Sequence, residues 1–250
     1  MPGRLTMWLS NSPRLRHVRR PLLAGKDGER FVLTLYSMQS SGNSYKVRML
    51  LARLKRKYHL VEIDRFKGEN RTPEYLAKNP EGRLPVLELD DKRILAESNA
   101  ILIYLAGDTP WLPADRFEYA EALRWMFFEQ HSHEPAIAEA RFWLRFVRGG
   151  RELRTHEIDQ WMERGYAALA LMEQHLSKHD YFVGGRETVA DLALYAHTHV
   201  AHEGDFDLAG FPAVGRWLAR IAGNPGHISI DTAHSSVSFG LSPARGSAPA

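Results

Sequence analysis

Apolar and polar positions follow two successive rhythms along this chain. Residues 31–36 (FVLTLY) form a short run rich in β-branched and aromatic side chains, which reads as a strand. After polar residues 37–44, Val47, Leu50, Leu51 and Leu54 fall at i, i+3, i+4 and i+7, one apolar stripe of a helix. Residues 58–63 (YHLVEI) read as a second strand and 72–78 as a short helix. Residues 85–89 (PVLEL) and 93–96 read as a hairpin turning at Asp90 and Asp91. Helical spacing returns over 97–105, so the predicted order is β-α-β-α-β-β-α. Beyond Gly107 the strand signals stop, and a proline-bracketed linker, 108–113, leads into long helical segments. Ile158, Met162, Leu169, Met172 and Leu176, separated by steps of three, four and seven, mark the core stripe of one helix, which is expected to end at Gly184-Gly185. Further helices are expected over 188–203 and 212–222. The pattern divides the chain into an α/β unit followed by an all-α unit.

Composition narrows what these units do. The 250 residues are 44% hydrophobic and 25% charged, ordinary for a globular chain with a sizeable core. No stretch approaches 18 consecutive apolar residues, which argues against a membrane span. Cysteine is absent, excluding disulfides, thiolate metal sites, a cysteine nucleophile and a CxxC redox pair. Any sulfur chemistry must arrive on a ligand. The net charge of +3 is local: residues 1–30 hold seven of the 33 Lys and Arg but two of the 30 acids. The remaining body is slightly acidic, which argues against nucleic-acid binding. Residues 1–28 lack the apolar core of a secretory signal. They read as a disordered basic extension or a start site placed too early, with an organellar transit peptide as the alternative. The expected organisation is 1–28 extension, 29–108 α/β domain, 109–232 all-α domain and 233–250 disordered tail.

The segment GRLPVLELDDKRILAESNAILIYLA, residues 82–106, carries the chemistry. A proline opening a strand is tolerated because that position needs no ladder N–H. A cis Leu84–Pro85 bond would offer the N–H and C=O of Leu84 to an extended peptide, as an added strand rung. Glu97 and Ser98 open a helix, where unpaired N–H groups and the positive dipole end favour a carboxylate. The Ser98 hydroxyl adds a donor and Glu97 an acceptor for an ammonium. A small peptide with a free α-amino-acid end fits this pair of features.

This segment resembles the glutathione-binding half of the cytosolic glutathione transferases, and the likeness in LPVL turn, Glu-Ser pair and element order covers roughly residues 31–223. The resemblance implies a thioredoxin-like N-terminal domain, an all-helical C-terminal domain, glutathione as cosubstrate and a homodimer; a small electrophile as second substrate and a cytoplasmic setting are expected with it, and no metal is expected. It places Ser41, in SSGNSYKVRML, where serine-type classes hold the hydroxyl that activates the thiol, and Asn43 where some bacterial classes use asparagine. Arg71 and Arg83 match basic residues that contact the glycine carboxylate of glutathione, beside Leu84, Pro85, Glu97 and Ser98. His133, Arg141 and Trp143 are candidates for the electrophile pocket.

Each residue also has a plain structural role. Ser41 suits a helix N-cap, and Tyr36, where tyrosine-type classes activate the thiol nearby, suits a half-buried strand. Glu97-Ser98 suits an ordinary helix start, Pro85 an edge strand, and Arg71 and Arg83 a solvated surface. Thr188 and Asp191 form a capping box that serves folding. His131 and His133, and His197, His199 and His202, lack the i, i+4 pairing of a helical zinc site. Conjugation of glutathione to an electrophile leads. Glutathione-dependent disulfide or peroxide reduction, through a second glutathione, and a non-catalytic binding module are the alternatives.

Overall fold

The computed structural model describes residues 33–232. The expected extension 1–28, the tail 233–250, and Phe31 and Val32 of the first strand lie outside the described residues. A four-stranded mixed sheet in the order β2-β1-β3-β4 is built from β1 (Leu33–Ser37), β2 (Tyr58–Glu62), β3 (Val86–Glu88) and β4 (Ile94–Ala96). β1 pairs parallel with β2, Leu35 opposite Leu60, and antiparallel with β3, Leu35 opposite Leu87. Leu33, Leu35 and Ser37 alternate inward along β1, as period-2 patterning requires.

Helices α1 (Gly42–Arg53) and α3 (Ser98–Ala106) pack together beside the sheet, with α2 (Pro73–Leu76) between β2 and β3. Val47, Leu50 and Leu51 of the predicted stripe are fully buried and Leu54 packs at its edge. The all-helical part follows as α4 (Arg116–Phe128), α5 (Glu134–Arg141), α6 (Gly150–Leu153), α7 (Thr155–Leu176), α8 (Val189–Thr198) and α9 (Pro212–Ala222). Every residue of α8 is buried. Its capping box forms as expected, and Asp191 gathers the Thr188 N–H (2.8 Å), the Thr188 hydroxyl (3.0 Å), the Phe182 N–H (3.1 Å) and the Trp217 indole N–H (3.0 Å).

Three local expectations change. α8 stops at Thr198 instead of running to Glu203, and a 3-10 turn, Ala201–Gly204, tucks against α5 so closely that a Cβ on Gly204 would lie 2.8 Å from the Arg141 nitrogen. α7 ends at Leu176, and Gly184 and Gly185 form a later turn with φ +65° at both. α5 is bracketed by two π-helical turns, Glu129–His133 and Phe142–Phe146. Pro135 stands in the first turn of α5 and lacks the N–H that a continuous α-helix would use there.

Candidate functional site

A cleft of about 630 Å³ opens where the sheet domain meets α5. That volume lies within the range of small-molecule sites. Ser41, Asn43, Arg71, Arg83 and Leu84 of the predicted set line it. Pro85, Glu97 and Ser98 do not, although Ser98 touches the lining through Asn43.

The loop before α1 presents the two candidate activators. Ser41 is the N-cap of α1: its extended backbone (φ −76°, ψ 121°) lets Oγ accept the Ser44 N–H at 3.2 Å. The cap uses a lone pair, so the hydroxyl proton stays available to a ligand. The loop is clamped from two sides by guanidinium groups. Arg48 donates to the Ser37 hydroxyl (3.0 Å) and to the carbonyls of Met38 (3.1 Å), Gln39 (2.7 Å) and Ile230 (3.2 Å). Arg141, from α5, donates to the Ser40 carbonyl at 2.8 Å and to Glu203 at 2.7 Å. The Gln39 side-chain amide also donates to the Ile230 carbonyl, and the Tyr45 hydroxyl to that of Ile228 at 2.6 Å. The end of the described chain is thereby tied to the first loop.

Asn43 bridges the domains. Its Nδ2 donates to Glu134 Oε1 (3.0 Å), and its Oδ1 faces the Ser98 hydroxyl (3.3 Å) and His197 Nε2 (3.2 Å). Beneath it Lys46 and Glu129, both with fully buried side chains, pair at 2.8 Å. Lys46 also donates to Ser98 Oγ (3.3 Å), and Asn99 donates to Glu129 (3.0 Å). Burial outweighs these partners and holds the Glu129 carboxyl above its ordinary pKa.

The second wall is a turn fixed by side chains. Asn70 Nδ2 holds the Gly82 carbonyl (2.7 Å), Arg71 Nη1 that of Glu81 (3.0 Å), and Tyr75 and Asn79 that of Arg83 (2.7 and 3.0 Å). Gly82 at φ +66° permits this, since a Cβ would lie 2.7 Å from Arg71 Nη1. Arg83 pairs with Glu81 in solvent at 3.2 Å, a weak contact. The Leu84–Pro85 bond is cis, and among the described residues the Leu84 N–H and C=O have no hydrogen-bond partner. α3 begins at Ser98, whose N–H therefore has no intrahelical partner. Its hydroxyl is engaged with Asn43 and Lys46, which the sequence did not anticipate.

The outer wall is aromatic. Phe66 stacks on Phe142 (centroids 6.3 Å, planes 3° apart) and meets Phe146 at 6.0 Å, while Arg65 covers Phe142 at 4.7 Å. Arg65, Arg71, Arg83 and Arg141 line the cleft against Glu134 and Glu139, which favours an anionic ligand. Burial, with Glu134 nearby, holds the Glu139 carboxyl above its usual range.

Of the three candidates for an electrophile pocket, Arg141 and Trp143 line this cleft and His133 does not. It is fully buried beneath α5 and meets Thr198 Oγ1 at 2.8 Å, and burial brings its pKa down to about 3. Tyr36 is directed elsewhere, its hydroxyl donating to Glu88 at 2.9 Å. Sequence reasoning missed Lys46, Glu134 and His197. A lysine beside Val47 reads as a solvated helix position, yet α1 is covered on both sides. His197 lies in the strongly apolar run of α8, and that run was the signal that its ring is buried. Among the described residues no group of three or more His, Cys, Asp or Glu side chains is arranged to hold a metal ion, and no helix is long and apolar enough to cross a membrane.

Residues 31–107 match the family model for the glutathione S-transferase N-terminal domain, and residues 135–225 that for its C-terminal domain. The chain is 31% identical over 198 residues to maleylacetoacetate isomerase of Rhizobium meliloti, covering 76% of this chain and 91% of that protein. It is 58% identical to a possible glutathione S-transferase from Rhodopseudomonas palustris of solved structure, with a TM-score of 0.78 and coverage of 80% and 90%. A glutathione transferase from Burkholderia graminis, solved with two glutathione molecules per subunit, is 26% identical at a TM-score of 0.70, with coverage of 78% and 85%.

Proposed function

The chain belongs to the glutathione S-transferase family, and we propose that it binds glutathione in the interdomain cleft, keeps its sulfur ionised, and adds it to a small electrophile. The observation that carries this reading is the convergence on one cleft of a Ser41 hydroxyl with its proton to give, the Asn43 amide and an unpaired Leu84 main chain. Leu84 supplies the backbone rung for the tripeptide. Ser98 N–H and Glu97 take its amino-acid end, and Arg71 and Arg83 its glycine carboxylate.

A free thiol of pKa ~8.5 is mostly protonated at pH 7, and the thiolate is the nucleophile. Donors from Ser41 and Asn43, with the N-terminus of α1 behind them, stabilise the anion and lower that pKa. Proximity to a bound electrophile does the rest, with no covalent enzyme intermediate. The aromatic wall of Phe66, Phe142 and Trp143 gives the electrophile an apolar seat. A homodimer and a cytoplasmic setting belong to the same reading.

A second reading, glutathione-dependent disulfide reduction, is supported by the two glutathiones in the Burkholderia relative. The chain has no cysteine. One glutathione thiolate would attack the disulfide and expel a thiolate, and a second would resolve the mixed disulfide to glutathione disulfide. Assaying electrophiles and disulfides in parallel with glutathione separates the readings. In either case Ser41→Ala and Asn43→Ala should each lower kcat/KM by about ten- to a hundredfold. Unchanged turnover in both variants, or no rise in Tm with millimolar glutathione, rejects the site.

A further inference from the structure

The Asn43 amide is gripped from behind. Lys46 Nζ, a donor only, lies 3.3 Å from Ser98 Oγ, so the single hydroxyl proton of Ser98 points to Asn43 Oδ1. Glu134, an acceptor only, must meet Nδ2. The third contact is His197. Its Nε2 faces two acceptors, Asn43 Oδ1 at 3.2 Å and Glu129 Oε1 at 4.0 Å, while its Nδ1 has no hydrogen-bond partner among the described residues. The ring's proton therefore sits on Nε2. Burial first, then Lys46, His133, Arg141 and His199 around it, hold the imidazole well below its ordinary pKa, so it is neutral and has that one proton to give. The ring is also wedged in place: a Cβ on Gly42 would lie 2.4 Å from its Cε1.

We infer that His197 is a positioning residue for thiol activation: its Nε2–H, together with the Ser98 hydroxyl, pins the Asn43 carbonyl oxygen inward and turns the amide N–H₂ toward the place of the glutathione sulfur. One amide hydrogen goes to Glu134 and the other is left for the thiolate. Rotating the amide would set Oδ1 against the Glu134 carboxylate and present an acceptor to the anion. His197 touches no reacting atom in this scheme and acts through Asn43 alone.

The inference rests on the glutathione reading of the cleft, and one titration distinguishes the two. The thiolate absorbance of glutathione bound to the full-length protein is followed against pH for wild type, His197→Phe, His197→Gln, Asn43→Ala and the Asn43→Ala/His197→Phe double variant. His197→Phe should raise the bound thiol's pKa by about one pH unit. His197→Gln, which keeps an N–H donor, should restore most of it. In the Asn43→Ala background His197→Phe should add nothing, because the two act as one chain. The glutathione KM should move less than about threefold. If Asn43→Ala raises the pKa but His197→Phe does not, the inference falls and the cleft reading stands. An equal rise on both backgrounds also overturns it, because His197 then acts without Asn43. Absence of a thiolate signal in the wild type overturns both. His197→Leu replaces the phenylalanine variant should that one melt below assay temperature.

Discussion

Glu97 has φ +69° and ψ 113°, left-handed territory that a residue with a side chain enters at a cost of about 1–3 kcal/mol. It sits directly before α3, at the turn we propose for the amino-acid end of glutathione, and no capping hydrogen bond compensates. Glu97→Gly should therefore raise stability by about 1 kcal/mol in thermal melts while raising the glutathione KM about tenfold. A stabilised variant with unchanged KM would remove Glu97 from the binding cradle. Ser41 shows how far single residues were legible. Its sequence position offered cap and activator as rivals, but the cap uses a lone pair and leaves the proton, so the structure accommodates both. Arg71 likewise lines the cleft while one nitrogen holds the Glu81 carbonyl. Lys46 and His197 were illegible because their meaning depends on partners far along the chain. His197 meets Asn43 across 154 positions, and no local periodicity records such a meeting.

At the scale of elements, regular periodicity held where helices are regular. The stripe of α1 and that of α7 came out as read, with Ile158, Leu169, Met172 and Leu176 buried. Around α5 the sequence shows only long helical segments, and the π-helical turns there carry no such signature, since one inserted residue rotates everything after it by about 100° relative to a straight helix. Those turns swing Phe142 and Trp143 into the cleft and Glu134 onto Asn43, so the pocket wall could not be extrapolated from α4. The same elements are joined underneath by Lys46 of α1 and Glu129 of the first π turn. Removing one member of a fully buried pair strands the other charge. Glu129→Ala should cost about 3–5 kcal/mol in urea unfolding, and Lys46→Met/Glu129→Leu distinctly less than Glu129→Ala alone. Near-equal losses in the two would mean that the surrounding polar groups, not the pair, hold this junction.

For the molecule as a whole, buried imidazoles weaken the fold in acid, against the opposing effect of buried Asp191, whose pKa burial raises to about 6. Burial lowers the pKa of His199 to about 4 and that of His133 to about 3, and puts His197 well below its ordinary value. Unfolded histidine titrates near 6.5, so between that value and the folded ones the unfolded chain binds more protons. Their contribution is complete above pH 6.5 and is lost as pH falls toward 4 and 3. Stability should drop between pH 7 and 5 by about 1–2 kcal/mol per histidine, and His199→Gln should flatten that slope in urea titrations. An unaltered slope would assign the acid response to other groups. The succession of an α/β half and an all-helical half was plain from sequence, because the strand signals stop after Gly107 and the last strand of the sheet, β4, ends at Ala96. The tie between the loop before α1 and residues 228–230 was not. Gln39 and Arg48 reach Ile230, the former across 191 positions, and Tyr45 reaches Ile228. A ribosome making this protein thus releases the Ser41 loop long before the residues that brace it. The nascent N-terminal half can assemble its sheet early, but the loop before α1 settles only once Ile228 and Ile230 have been made.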